Sequence, residues 1–141
     1  MTGEFAIAIH ALVYLNHKAT TQSSEELARN VCTNPARIRK IMGKLKKSGF
    51  VIAKEGLCGG YCTITNVTTI TLRQIIESLA IDPISLSRKP STEEQRCFIA
   101  SGMSNVMTSL YDDLNNECLK KLEQFTIADI QHKVFCPSDS A

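Results

Sequence analysis

Residues 34–61 read NPARIRKIMGKLKKSGFVIAKEGLCGGY. Asn34 is a good helix N-cap, and Pro35 fits the first helical position, where its missing N–H costs nothing. Ile38, Ile41, Met42 and Leu45 then recur at helical spacing and form an apolar stripe. Arg37, Lys40, Lys44 and Lys47 fall on the opposite face at i, i+3, i+7 and i+10. This predicts a helix from residue 35 to about 48, seated on a core and showing a cationic ridge to solvent. Gly49 supplies a left-handed C-cap. FVIA (residues 50–53) begins a strand, KEGLCGG is a turn whose glycines accept positive φ, and YCTIT (residues 61–65) returns as a second strand. A basic helix followed by a glycine-rich hairpin is the layout of a winged helix-turn-helix, in which a helix enters the DNA major groove and a β-wing grips the neighbouring backbone.

The charge distribution supports a polyanionic partner. Residues 34–56 hold seven basic side chains against Glu55 alone, a local +6 in a chain of net +2, so the remainder carries −4. Such a localised patch on an acidic body is an electrostatic footprint for nucleic acid. The bland alternative, a solvated lysine-rich helix face, does not account for the hairpin that follows.

Working outward, Phe5, Ile9, Leu12 and Val13 mark a first helix over residues 2–18, with polar residues recurring in its apolar run. That pattern, without a basic leader or a small-residue cleavage site, does not read as a signal peptide. No stretch reaches the length of a membrane span, and the chain is expected to be cytoplasmic with reduced thiols. Ser23 and Glu26 form a capping-box signal for a short second helix with Leu27, Ala28 and Val31 facing inward. After the wing, Leu72, Ile75, Ile76 and Leu79 mark another helix. Residues 82–92 are a linker with two prolines, and Ser91 with Glu94 is a second capping signal. From about residue 99 to 125, Met103, Val106, Met107, Leu110, Leu114, Cys118, Leu119 and Leu122 recur. A helix this long cannot bury that stripe on so small a body, and pairing with a second copy solves the problem. Thr126 caps a last short helix.

The expected architecture is mainly α with a small β-wing. Residues 1–81 form a winged helix-turn-helix DNA-binding domain, 82–98 a linker and candidate sensor region, and 99–141 a dimerisation helix with a C-terminal helix. Base readout wants side chains at the N-terminal end of the inserted helix, here Asn34, Arg37, Arg39 and Lys40. Arginine can bond guanine O6 and N7 with both arms of its fork. Lys44 and Lys47 lie further along and suit phosphate contacts, as does Thr33 with the first free N–H groups of the helix. Lys54 is the candidate contact on the wing. Leu45, Phe50, Ile52 and Tyr61 are assigned to packing the wing on the helices.

The order of capped second helix, NPxxIRKIMxKLKKSGFV, GxxGGY and ITLRQIIESL, together with the later LEQFTIADI, resembles the Rrf2 family of bacterial winged-helix regulators over nearly the whole chain. The resemblance implies a homodimeric DNA-binding repressor with the long helix pairing two subunits across a palindromic operator. Two departures stand out. Family members usually carry arginine just before the first wing glycine, where this chain has Glu55, and many have proline and glycine where this chain has Leu57 and Cys58.

There are six cysteines, Cys32, Cys58, Cys62, Cys97, Cys118 and Cys136. Cluster-binding relatives carry three cysteines before the long helix, but residues 82–104 offer Cys97 alone. An iron–sulfur cluster needs converging thiolates, so no cofactor is expected. The spacing of Cys58 and Cys62 is not that of a zinc knuckle, and no histidine is near. No metal site is therefore expected. Cys118 falls on an apolar stripe and reads as packing. Cys32, in the turn before the basic helix, and Cys97, beside the cation of Arg96, are the candidate redox-sensing thiols. Resemblance to cluster-free family members that answer to thiol oxidation points the same way, although two small buried residues would fit the sequence as well.

The expectation is thus a repressor whose operator binding responds to cysteine oxidation. The alternatives are a cluster-sensing or small-ligand-sensing regulator of the same family, or a winged helix used for protein contacts. No nucleophile elbow, phosphate loop or zinc-protease motif is present, and His10, His17 and His132 are scattered, so an enzyme is not expected.

Overall fold

The computed structural model describes residues 3–64, 66–84 and 98–137. Along the chain run α1 (Gly3–Lys18), α2 (Ser24–Val31), α3 (Pro35–Lys47), β1 (Val51–Lys54), β2 (Gly60–Thr63), a 3₁₀ turn (Val67–Thr69), α4 (Leu72–Ser78), α5 (Phe98–Glu123) and α6 (Ile127–Phe135). This is a mainly helical protein with a two-stranded antiparallel wing, as its periodicities predict. The capping signal at Ser91 and Glu94, and Cys97, lie outside the described residues.

Helix α1 is the spine of the core, burying Phe5, Ala8, Ala11, Leu12, Val13 and Leu15. Leu27 of α2, the stripe Ile38, Ile41, Met42 and Leu45 of α3, and Ile75 and Ile76 of α4 pack into the same cluster. Burying side chains of this size contributes about 1.5–3 kcal/mol each in area terms. The start of α6 joins this body through Ile127, which is fully buried.

Two helix starts are tied together. Thr71 and Gln74 form a capping box at α4, and Thr126 and Asp129 form another at α6. The residues beside them pair as backbone, with the Leu72 N–H donating to the Phe125 carbonyl at 2.9 Å and the Ile127 N–H to the Ile70 carbonyl at 3.0 Å. Thr126 is legible as a cap from sequence. The Thr71-x-x-Gln74 box has an equally local form, but the pairing is not legible, because it links residues some fifty positions apart, as the bridge Thr71↔Thr126 shows.

Helix α5 is different in kind. None of its residues is buried, and only Leu119 and Leu122 near its C-terminal end pack against the core. Among the described residues no helix is long and apolar enough to cross a membrane.

Candidate nucleic-acid interface

The turn that presents α3 is built by three consecutive residues. Cys32 closes α2 in a left-handed conformation (φ 61°), and the Thr33 N–H donates to the Ala28 carbonyl at 2.9 Å. The Asn34 side chain then accepts the Arg37 N–H at 2.8 Å. Asn34 is thereby occupied as the cap the sequence predicts, and Pro35 occupies the first turn. At the other end, Gly49 (φ 78°) lets the chain reverse. Its N–H reaches the Lys46 carbonyl and that of Phe50 the Leu45 carbonyl, both at 3.0 Å, the two bonds of a Schellman stop.

The wing follows. Val51 pairs with Thr63 and Lys54 with Gly60. Val51 is buried while Ile52 is 49% exposed, so Ile52 does not pack the wing on the helices as its hydrophobicity predicts. Alternation along a strand sends neighbours to opposite faces, and only one face of a two-stranded wing meets the body. A contact invisible in the sequence anchors β2: the Gln22 and Tyr61 backbones exchange hydrogen bonds of 2.9 and 2.8 Å. The residue before the α2 cap thus serves as a third strand of one residue. Gly60 (φ 148°) sits so close to the Gln22 carbonyl that no Cβ fits there.

The cationic ridge divides into three. Lys44 turns inward, its Nζ 3.2 Å from Glu4 Oε2 and 3.4 Å from the Leu79 carbonyl oxygen. Arg37 lies on the same flank, beside Gly3 of α1. On the other flank Arg39 donates to Ser24 Oγ at 3.2 Å and stands 3.9 Å from Glu25. Directly outward, at 100° per residue from the buried stripe, point Ala36, Lys40, Gly43 and Lys47, all exposed. Lys44, expected on the outward ridge, is therefore withdrawn from it by Glu4. Lys40 Nζ lies 3.6 Å from the same carboxylate but stays largely in solvent. Burial pushes the Glu4 carboxyl up, yet the hydrogen bond and charge of Lys44, joined by Lys40, outweigh it and hold the group below its ordinary value.

Ser24 and Lys54 line one shallow groove, of about 300 Å³, between the start of α2 and the wing. Glu25 and Glu55 line the same groove. Arg39 of α3 reaches its α2 wall through the bond to Ser24. Leu57, at the wing tip, is fully exposed.

The five described cysteines are all free thiols. Cys32 is exposed in the turn, its Sγ about 4.0 Å from the carbonyls of Arg29 and Asn30. Cys58 is exposed on the wing turn, Cys62 lies on β2, Cys118 on α5 and Cys136 after α6. Among the described residues no three His, Cys, Asp or Glu side chains come together as a metal site. A larger cleft of about 720 Å³ lies between α1 and α6, lined by Ile9, His10, Val13, His17, Ile130 and Phe135 among others.

The family model Rrf2, described as an iron-dependent transcriptional regulator, matches residues 1–133. No curated protein matches the sequence. Among solved structures, a Lactobacillus plantarum protein described as a candidate transcriptional regulator is 27% identical. It superposes with a TM-score of 0.80, covering 97% of this chain and 93% of its own. IscR of T. potens is 17% identical with a TM-score of 0.68, covering 100% and 93%. CymR, the global cysteine regulator of B. subtilis, is 16% identical with a TM-score of 0.64, covering 93% and 95%. The last two likenesses are of fold alone.

Proposed function

This chain belongs to the Rrf2 family of transcriptional regulators, and on that premise we propose that it is a homodimeric repressor that reads a palindromic operator and responds to oxidation of its thiols. The observation that carries the DNA-binding part is that Arg39 of α3 bonds Ser24 of α2, which lines one groove with Lys54 of the wing. In this reading the first turns of α3 address base edges. Arg39 is the residue best placed for bidentate readout of guanine, and Thr33, Lys40, Lys47 and Lys54 hold phosphate. Lys44 is held back by Glu4 and makes no direct contact.

The dimer reading rests on α5. Val106, Leu110 and Leu114 share one face and stand exposed, an apolar stripe of the kind that a second copy covers. Two recognition helices would then meet successive turns of one duplex.

The signal is assigned to Cys32, with Cys97, outside the described residues, as its candidate partner. Cys32 is an exposed thiol at a left-handed position that favours glycine or asparagine. It sits one residue before Thr33, so a bulky adduct or a disulfide there would disturb the turn that orients α3. The reading is cofactor-free, because residues 82–104 hold Cys97 alone where a cluster needs converging thiolates. The α1–α6 cleft favours a second reading, in which a small organic ligand is the signal.

Genomic fragments bound by the purified chain, footprinted with and without diamide, test the proposal. A palindromic footprint lost or tightened on oxidation in the unmodified protein, and unchanged in Cys32→Ser, is the expected result. An oxidant response retained in full by both Cys32→Ser and Cys97→Ser would remove the thiol mechanism. Absence of any footprint would remove the regulator reading.

A further inference from the structure

Gly43 stands in the middle of α3, exposed, with nothing within 4 Å of where a Cβ would be. An interior glycine costs a helix stability relative to alanine, and neither packing nor a positive φ requires one here. Its four nearest neighbours on the helix surface, at i−4, i−3, i+3 and i+4, are Arg39, Lys40, Lys46 and Lys47. All four are cationic and exposed, and the ammonium groups of Lys46 and Lys47 have no partner among the described residues. A bare patch of backbone ringed by positive charge opposes helix stability twice over, through propensity and through like-charge repulsion. Local rules broken together at one point mark a functional surface.

We propose that Gly43 is a seat for a phosphate of the DNA backbone, where the absent side chain lets the groove wall press against α3 and the three lysines Lys40, Lys46 and Lys47 close around it. This deepens the DNA-binding reading above and rests on it. The position along the helix favours phosphate over a base edge. Gly43 lies nine residues beyond Asn34, roughly 13 Å along the axis. The major groove is about 12 Å wide, so a helix whose first turn reads base edges is crossing the groove wall at its third. A phosphate there meets Lys40 from one side and Lys46 and Lys47 from the other. A methyl group at residue 43 would push it outward from all three.

The test compares the unmodified protein with Gly43→Ala on two probes, a duplex selected by the protein from genomic fragments and a mixed-sequence duplex, across a salt series. Alanine should raise the melting temperature, since the site is open and the helix gains propensity. Affinity should nonetheless fall roughly tenfold on both probes, with the selected-to-mixed ratio kept and the salt slope reduced by about 0.9, one phosphate's worth. Ethylation interference should show one backbone position per half-site that blocks the unmodified protein and is indifferent in Gly43→Ala. Equal affinity and equal slope in Gly43→Ala overturn the seat and leave the DNA-binding reading standing. A selected duplex bound no better than the mixed one by the unmodified protein overturns that reading instead.

Discussion

At the scale of the residue, the cations of α3 are unequal although the sequence writes them alike. Arg39 has a fixed place, bonded to Ser24, which lines the wing groove, whereas Lys47 is free on the outward face. A forked, oriented donor reads bases and a mobile point charge holds phosphate. Arg39→Ala should therefore cost about 1–3 kcal/mol on the selected duplex and relax its preference over mixed sequence. Lys47→Ala should weaken both duplexes alike and lower the salt slope by about 0.9. Competition titrations at fixed salt separate these outcomes, and a uniform loss in Arg39→Ala would return that arginine to the phosphate class. Side-chain type and helical spacing made the cationic face legible from sequence. Which cations were already engaged was not, because Glu4 lies 36 positions from Lys40 and no local pattern joins them. Ile52 misled for a related reason: a hydrophobic residue in a short strand says that a face is buried, not which one.

At the scale of the element, capping chemistry is what made the order of helices readable. Ser23, Asn34 and Thr126 each accept the predicted N–H three residues on. Gly49 stops α3 where its left-handed freedom is needed. The clamp between α1 and α3 was hidden, and it carries a consequence for pH. The Glu4 carboxyl is held below its ordinary value of 4.5 mainly by Lys44, against the opposing effect of burial. A group depressed in the folded state stabilises the fold above its unfolded value, and loses that contribution as pH falls through its folded one. Glu4→Gln should thus be about 0.5–1 kcal/mol less stable than the unmodified protein near neutrality. The difference should shrink steadily once pH drops below 4.5, which urea midpoints at several pH values would reveal. The same substitution frees Lys44 and Lys40, so DNA binding should gain affinity and a steeper salt slope while the fold loses stability. Parallel loss of both would show the clamp to position α3 rather than to withhold a charge from DNA.

At the scale of the whole molecule, the winged body is closed and α5 is not. The core gathers side chains from α1 to α4 and from α6, while α5 leaves Met103, Val106, Leu110 and Leu114 in water. Their spacing of three, four and four residues is a seam for another helix. Amphipathic periodicity announced this stripe in the sequence. That one side of it would stay exposed followed from length alone, since 26 residues run roughly 39 Å, beyond the reach of a domain this size. Leu110→Asp separates a seam between copies from a merely exposed side chain. Within one chain Leu110 touches no core, so a surface change there should leave the stability of the isolated protomer within about 0.5 kcal/mol. In a dimer the carboxylate would be buried opposite its own symmetry mate, and the pair should fall apart. Sedimentation velocity should then show a monomer. Binding to the selected duplex should drop toward the level of the mixed-sequence one, because two linked half-sites are replaced by one. If Leu110→Asp sediments as the unmodified protein does and binds the selected duplex equally well, the two-fold arrangement is wrong. A single winged body would then have to supply all the sequence preference through α3 and Lys54.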